Sequence, residues 1–203
     1  TKDTYIYMRQ NKQNQIIFFF PDFQVGGVEK NFYIISKYLS NFFKSTYLVS
    51  GNIVKNKIDK KIEIIKIGNF WSYCNRRLVF LICSIKLFIV ALKLKDPIIF
   101  SFQGNFYAIL ISIILKKKII ELSNLNPQAW SKSFFKSIIF QYLLSKANLV
   151  IVNSFEFQKQ MTKIFKIKSE VIYNPVNFNQ IKKLSHYKKK ISFFQEETIN
   201  LIN

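Results

Sequence analysis

The sequence is poor in the residues that most often carry catalysis. Its 203 residues include one histidine, two cysteines and only 11 acidic residues. His186 lies in a lysine-rich segment, so we expect a solvated residue there rather than a catalyst. No Ser/His/Asp set and no pair of acids suited to glycoside hydrolysis stands out. Neither the G-x-G-x-x-G fingerprint nor a P-loop occurs, so the main sequence signals of NAD-dependent enzymes and ATPases are missing.

The cysteines and the apolar runs argue against two further classes of protein. Cys74 and Cys83 have no partner at zinc-ligand spacing, so we expect reduced structural thiols of a cytoplasmic protein and no metal site. The longest apolar stretch, residues 78–92, is interrupted by Lys86 and is shorter than the roughly 20 residues that cross a bilayer. We therefore expect a buried helix there. Residues 1–15 are polar and carry no signal-peptide core.

Acidic residues are scarce relative to basic ones, and the formal net charge is +20. Nucleic acid, an anionic membrane face and a phosphorylated substrate would each suit such a charge. Composition offers a second cause, because the abundance of Lys, Asn, Ile and Phe is typical of an AT-rich genome, and many lysines fall where helices end. No RNA-binding or helix-turn-helix signature occurs. We therefore favour affinity for a membrane surface over binding of nucleic acid.

Apolar runs alternate with helical patterns along the chain. Apolar runs without polar alternation are typical of strands buried on both faces of a parallel sheet. We predict strands over residues 16–20, 45–50, 62–67, 98–102, 118–122, 149–152 and 170–173, and helices over residues 28–39, 76–94, 106–115, 133–146 and 155–165. Residues 153–156 resemble a capping box that starts the last of these helices. The pattern predicts an α/β domain with a mainly parallel sheet of about seven strands, covered by helices on both faces.

In such a sheet, ligands bind outside the carboxyl ends of the strands. The loop after the first strand ends in Gly26 and Gly27, and a helix follows. Glycines permit backbone conformations closed to other residues, and the free N–H groups of the helix form an anion site. The alternative is a plain tight turn, with Glu29 as a first-turn carboxylate favoured by the helix dipole.

The other loops at strand ends are rich in amides and hydroxyls and poor in titratable groups. This inventory fits a neutral, hydroxyl-rich ligand such as a sugar. Asn153 and Ser154 are also suited to helix capping, Pro175 to a turn, and Asn105 to the start of a helix. We predict the following residues as contacts for the acceptor or sugar: Gln24, Gln103, Asn105, Ser123 and Asn124.

Three stretches together resemble the amino-terminal half of a GT-B glycosyltransferase of retaining family 4. They are the Gly-Gly-x-Glu turn in residues 21–29, V-I-V-N-S-F-E at residues 150–156 and V-I-Y-N-P-V-N at residues 171–177. The last is similar to the I-x-N-P-V-[DN] segment that ends the amino-terminal domain in this family. Residues 118–128 are more weakly similar to enzymes of bacterial surface polysaccharide synthesis.

The resemblance implies a Rossmann-like three-layer domain, the N-terminal half of a GT-B fold. It implies a retaining enzyme of hexosyltransferase type that moves a sugar from a nucleotide-sugar to a glycan or lipid-linked acceptor, without a metal or cofactor. Gly26 and Gly27 would approach the donor diphosphate. The cleft and domain junction would be formed by Asn153, Ser154, Asn174 and Pro175. Gln103 and Asn124 stand where several members have histidine, and neither is a general base, so the catalytic residues stay unknown.

The same resemblance divides the chain. Residues 1–177 match the amino-terminal domain, residues 178–197 are expected to be a linker, and residues 198–203 are expected to open a donor-binding carboxyl-terminal domain. The donor-binding motifs of the family lie beyond Asn203. We therefore expect that the 203-residue chain alone does not transfer sugar.

Two other functions stay open. One is a non-enzymatic basic module that binds nucleic acid, whose affinity would fall steeply with salt. The other is a degenerate relative that binds only a sugar or a partner enzyme. We favour the acceptor-binding domain of a sugar transferase, in a cytoplasmic protein associated peripherally with the inner face of the cytoplasmic membrane. Its expected partners are a nucleotide-sugar, the acceptor, the missing second domain and anionic lipid, but no nucleic acid.

Overall fold

Seven strands form one parallel sheet. The computed structural model describes residues 15–23, 26–52, 58–68, 75–124, 134–176 and 178–185. The strands are β1 (Gln15–Phe19), β2 (Ser45–Ser50), β3 (Ile62–Lys66), β4 (Ile98–Ser101), β5 (Lys118–Ser123), β6 (Leu149–Val152) and β7 (Glu170–Val171). Their order is β3-β2-β1-β4-β5-β6-β7, and every neighbouring pair is parallel. The predicted α/β class and the number of strands are confirmed.

Helices connect most of the strands. They are α1 (Gly27–Leu39), α2 (Arg76–Lys93), α3 (Asn105–Leu115), α4 (Phe134–Ser145), α5 (Phe155–Gln160) and α6 (Phe178–Ser185). The helix predicted over residues 155–165 is α-helical only to Gln160 and continues as a π-helix, Met161–Phe165. The strand predicted over residues 170–173 ends at Val171. Helix α6 was not predicted, because its lysine-rich sequence is typical of a linker.

The two faces of the sheet are packed by different helices. In β1, Ile17 and Phe19 join a core with Val79 and Leu87 of α2, and residues of α3, α4 and the π-helix belong to the same core. The alternate residues of β1 face the opposite side, where α1 packs. This alternation is the period-two geometry of a strand, and burial on both faces explains why β1 is apolar from Ile16 onward.

Aromatic side chains fill the core beneath α1. Phe32 of α1 is fully buried, and its ring centroid lies 5.8 Å from that of Phe18, 5.3 Å from that of Phe20 and 5.0 Å from that of Phe102. These distances are typical of favourable ring pairs. Phe32 therefore anchors α1 to the ends of β1 and β4.

Gly51 lets the end of β2 approach its neighbours closely. A Cβ atom at this position would lie 2.5 Å from Val79 Cγ1 and 2.9 Å from the carbonyl oxygen of Pro21, which also accepts a hydrogen bond from the Gly51 N–H group. We expect Gly51→Ala to lower the free energy of unfolding by about 1–3 kcal/mol, because the backbone must shift to admit the methyl group. Urea denaturation measures the change.

Gly27→Ala is the matched control for this variant. No heavy atom lies within 4 Å of a Cβ built at Gly27. The control should therefore leave stability unchanged to within about 1 kcal/mol. Equal urea midpoints for the two variants would contradict the expected clash at Gly51.

Candidate functional site

The strand order reverses direction at β1. From β1 the chain first builds outward through β2 and β3, and it then returns to place β4 on the other side of β1. In open parallel sheets, ligands bind outside the carboxyl ends of the strands at such a reversal. The loops that follow β1 and β4 therefore define the candidate site.

Asp22 connects the loops at this reversal. It follows β1, its side chain is largely buried, and its backbone N–H donates a hydrogen bond to Gln103 Oε1 at 3.1 Å. Its carboxylate accepts a hydrogen bond from Asn52 Nδ2 at 3.4 Å and lies 3.2 Å from Arg76 Nε. Asp22 thus holds together the loops after β1, β2 and β4 and the start of α2, through its backbone N–H and its carboxylate.

Cys83 lies beneath the same loop. Its Sγ is 3.9 Å from the carbonyl oxygen of Pro21, and it is buried and free. Burial, and to a smaller extent the charge of Asp22, raise the pKa of this thiol to about 12. The thiol is therefore unreactive at neutral pH, as expected of a structural cysteine. Cys74 lies outside the described residues.

The glycine turn before α1 leaves an open helix N terminus. Gly26 is the N-cap residue, and no side chain among the described residues caps the helix there. The prediction that the two glycines adopt conformations closed to other residues is wrong, because Gly26 has an extended backbone (φ 178°) and Gly27 has no left-handed φ. The surroundings of Gly27 are open, because a Cβ atom there would meet nothing within 4 Å. The N–H groups of Gly27 and Val28, which are exposed or half-buried, are therefore accessible to an anion.

The first turn of α1 carries a buried carboxylate. Glu29 accepts a hydrogen bond from the Tyr33 hydroxyl at 2.8 Å. Burial, followed by this hydrogen bond, raises the pKa of Tyr33 well above its ordinary value. Glu29 is thus fixed within the helix, which agrees with a first-turn carboxylate favoured by the dipole.

The turn after β4 requires a glycine for its backbone conformation. Gly104 has a φ of 70°, in the left-handed region, and is the N-cap residue of α3. A Cβ atom there would lie 3.1 Å from the Phe19 ring and 3.2 Å from the Phe80 ring. This turn brings Gln103 and Asn105 to the carboxyl end of the sheet.

A buried carboxyl group lies beside this turn. Glu121 of β5 is nearly inaccessible to solvent, and Asn105 Nδ2 donates a hydrogen bond to its Oε1. The Asn105 amide also donates to the Leu122 carbonyl oxygen at 3.3 Å and accepts from Ser101 Oγ at 2.7 Å. Burial raises the pKa of Glu121 to about 8, and the hydrogen bond from Asn105 lowers it only in part. Glu121 is therefore mostly protonated at neutral pH.

Glu121 and Asn105 line a cavity of about 980 Å³ outside the ends of β4 and β5. Its other polar contributors include Gln103, Ser123 and Asn124. Basic side chains come from the start of α2 and from α4, whereas most of the remaining wall is apolar and belongs to α2, α3, α4 and the π-helix. A mostly apolar cavity with a few polar groups is typical of a site for an organic ligand.

Four of the predicted site residues meet in this cavity: Gln103, Asn105, Ser123 and Asn124. Gly26 and Gly27 are outside its wall, although the next residue, Val28, lines it. The predicted junction residues Asn153, Ser154, Asn174 and Pro175 do not line it, and Gln24 lies outside the described residues. The N-cap residue of α5 is Ser154, which accepts a hydrogen bond from the Phe157 N–H group, and not Asn153 as the predicted capping box requires.

Sequence reasoning did not single out Asp22 or Glu121. Each is a lone acidic residue at or near the end of an apolar run. This position is the sequence feature that could have identified it as a site residue. Among the described residues, no group of three His, Cys, Asp or Glu side chains is arranged to hold a metal ion.

The outer side of α2, α3 and α4 is both apolar and basic. These helices pack side by side on one face of the sheet, and none of the three contains an acidic residue. We call their outward side the α2–α4 face. Its apolar residues are at least 40% exposed: Leu78, Leu81, Ile85, Ile89, Leu92, Leu110, Ile114, Phe135, Ile138, Ile139 and Tyr142. None of the helices in the described part of the chain is long and apolar enough to span a bilayer.

No protein-family model and no curated protein sequence matches this chain. Solved structures do match. Anabaena HepE in complex with UDP and glucose gives a TM-score of 0.60 at 16% sequence identity, over 81% of this chain and 45% of that one. The complex of the same protein with UDP-glucose gives 0.58 at 16% identity, over 84% and 48%. TcCGT1 in complex with UDP gives 0.50 at 13% identity, over 86% and 55%.

These similarities concern the fold. The chain spans about half the length of each of these proteins. Its architecture is that of the N-terminal half of a GT-B glycosyltransferase, as the resemblance implied.

Proposed function

We propose that this chain is the N-terminal, acceptor-binding domain of a glycosyltransferase that uses a nucleotide-sugar donor. The observation that carries the proposal is the uncapped N terminus of α1, which opens at the reversal point of a parallel sheet. The shared architecture with half of HepE, which was solved with UDP-glucose, supports the same assignment. The activity requires the second half of a GT-B fold, which would hold the nucleotide.

In this proposal the enzyme is a retaining hexosyltransferase of family 4 in bacterial surface polysaccharide synthesis. The support is the sequence itself: the Gly-Gly-x-Glu turn, N-P-V-N at residues 174–177 and the segment at residues 118–128. Asn153, Ser154, Asn174 and Pro175 follow β6 and β7, and we assign them to the junction with the second domain.

The geometry suggests how the domain assists the reaction. When the bond between the sugar and the diphosphate breaks, negative charge grows on the departing phosphate oxygens. The N terminus of α1 offers the N–H groups of Gly27 and Val28 and the positive end of the helix dipole, and both stabilise that charge. The amides Gln103 and Asn105 are fixed by hydrogen bonds, so they can orient the acceptor without a large entropic cost.

A phosphate analogue tests the anion site directly. We expect pyrophosphate to shift the backbone amide NMR signals of Gly27 and Val28. Gly27→Val should weaken this binding roughly tenfold, because the new side chain fills the open space beside the N–H groups. The measurement is a titration of the 203-residue chain followed by amide chemical shifts.

Ser145→Val is the matched control, since it places the same side chain at an exposed position at the end of α4. It should bind pyrophosphate as the unmodified chain does. The proposed diphosphate site is wrong if Gly27→Val also binds pyrophosphate with unchanged affinity. It is also wrong if pyrophosphate shifts only the amide signals of lysine-rich surfaces.

We further propose that the α2–α4 face holds the protein on an anionic membrane surface, where a lipid-linked acceptor would be found. Apolar side chains can enter the headgroup region, and the surrounding lysines attract anionic lipids. The absence of acidic residues from α2, α3 and α4 supports this surface over an ordinary solvated one.

Vesicle binding tests the membrane assignment. We expect replacement of four lysines by glutamine to lower affinity for vesicles containing about one quarter phosphatidylglycerol on the order of a thousandfold, at about 1 kcal/mol per lysine. The four lysines of this variant are Lys86, Lys93, Lys136 and Lys146. Co-sedimentation measures the affinity.

A second variant changes the net charge equally but lies elsewhere on the chain. Its four exposed lysines are Lys37, Lys44, Lys60 and Lys66. It should lose far less affinity for the vesicles. Equal losses in the two variants would mean that total charge, and not the α2–α4 face, causes binding.

A further inference from the structure

Two buried polar atoms on the cavity wall have no hydrogen-bond partner among the described residues. They are Oε2 of Glu121 and Nδ2 of Asn124, which lie at and just beyond the end of β5. A buried polar group without a partner costs free energy, and native proteins keep few of them. Both residues line the same cavity. Two such groups on one wall indicate a place where a ligand completes the hydrogen bonding.

The neighbours of Glu121 fix which of its oxygens carries the proton. Asn105 Nδ2 donates to Oε1, so Oε1 acts as an acceptor. The amide cannot turn over freely, because its oxygen accepts from Ser101 and its nitrogen also donates to the Leu122 carbonyl oxygen. In the neutral acid, the hydroxyl is therefore at Oε2. Both atoms without a partner, Oε2–H and the Asn124 NH₂, are then donors.

We propose that Glu121, as a neutral carboxylic acid, and Asn124 form a two-donor subsite for an uncharged oxygen of the acceptor sugar, either a hydroxyl or an acetamido carbonyl. This inference rests on the proposed function, because it names the chemistry that the acceptor presents to the cavity. Glu121 is a binding and positioning residue in this subsite. It is not a general base, since its proton is bound at neutral pH.

The surroundings of Glu121 favour an uncharged ligand group over a phosphate or carboxylate. Among the described residues, no cation pairs with its carboxyl group, and the neighbouring strands β4 and β6 contain no titratable side chain. The charged and titratable residues of the cavity come from the helices: Arg76 and Arg77 of α2, Tyr107 of α3 and Lys136 of α4. Arg76 is paired with Asp22. The π-helix contributes only Met161 and Phe165 to the wall.

The subsite predicts sugar binding that depends on the proton of Glu121. The probes are methyl β-glucoside, which offers hydroxyls alone, and its 2-acetamido analogue, which adds a carbonyl. Affinities for the 203-residue chain are measured by NMR titration at about pH 6.5 and about pH 9.5. For at least one probe we expect affinity to fall roughly tenfold at the higher pH, because the donor is lost and a charge is formed.

Two variants separate binding from folding. In Glu121→Gln an amide nitrogen replaces the Oε2 hydroxyl as a donor at every pH. The affinity for the sugar should therefore stay within about threefold of that of the unmodified chain at the lower pH. It should also show no pH dependence. Glu121→Leu removes the donor, so affinity should fall roughly tenfold at the lower pH. Thermal unfolding checks that each variant is folded, and Glu121→Gln carries the test if Glu121→Leu is not.

Three results would overturn the subsite: no binding of either sugar, the same pH dependence in Glu121→Gln, or unchanged affinity in Glu121→Leu. Preference for one probe identifies the oxygen as hydroxyl or carbonyl. Pyrophosphate binding should be unaffected by Glu121→Gln. Its titration therefore distinguishes a failure of the subsite from a failure of the proposed function. If the expected changes in sugar affinity are not seen while pyrophosphate still binds at α1, only the subsite is wrong. If neither the changes in sugar affinity nor pyrophosphate binding at α1 is seen, the proposed function is wrong as well as the subsite.

Discussion

Phe32→Ala is expected to lower the free energy of unfolding by about 3–5 kcal/mol, because it removes a fully buried ring from the core beneath α1. Besides Phe18, Phe20 and Phe102, the ring of Phe32 also meets Phe23, at 5.2 Å. Phe18 belongs to β1, and Phe20 and Phe102 directly follow β1 and β4, so these rings cannot fill the space without moving the ends of the strands. A cavity and the lost ring contacts both contribute to the cost. Urea denaturation followed by far-UV circular dichroism measures it.

Phe178→Ala is the control for this prediction. The side chain of Phe178 in α6 is 77% exposed, so its removal should change stability by less than about 0.5 kcal/mol. Should the two variants unfold at the same urea concentration, Phe32 would not be the anchor of α1.

Glu121→Gln is expected to make the stability of the protein less dependent on pH. In the folded protein the pKa of Glu121 is raised to about 8, against 4.5 for the ordinary side chain that we take for the unfolded state. Between these values the folded state holds a proton that the unfolded state has released. The contribution of Glu121 to stability is therefore complete below about pH 4.5, falls as pH rises, and levels off above about pH 8. Glutamine stays neutral throughout.

The stability of Glu121→Gln relative to the unmodified chain should therefore increase by roughly 1 kcal/mol per pH unit between about pH 5 and pH 8. Urea denaturation across this range measures the difference in the free energy of unfolding between the two proteins. The contributions of the other titrating groups cancel in this difference. Glu63→Gln, at an exposed position of β3, is the control and should show no such rise. Parallel stability curves for the Glu121 variant and the unmodified chain would rule out a buried proton at this position.

The fold could be predicted from the sequence because its strands are marked by composition. Six of the seven begin and end within one residue of the predicted bounds, since each is an apolar run with a polar or glycine-containing loop beside it. The seventh, β7, was predicted too long because residues 172 and 173 continue the apolar pattern although they are exposed. Helix α6 was missed because a short helix rich in lysine cannot be told from a linker by composition.

The site was less accessible to sequence reasoning. Strand-end loops could be located, so Gln103, Asn105, Ser123 and Asn124 were identified by position. The importance of Asp22 and Glu121 depends on distant partners: Asp22 contacts Gln103, and Glu121 contacts Asn105. The glycine turn was identified for an incorrect backbone reason, because a sequence cannot distinguish a glycine needed for its φ from one that leaves space for a ligand.

The central position of β1 has a consequence for how the protein is made. Ile17 pairs with Ile99, which follows it by 82 residues, so one edge of β1 stays open until β4 has left the ribosome. At about 5–20 residues per second, synthesis of that interval takes roughly 4–16 s. During this time a strand that is buried on both faces in the folded protein has an unpaired edge. Non-local parallel pairing of this kind forms slowly, so the nascent chain should depend on chaperones more than the finished domain does.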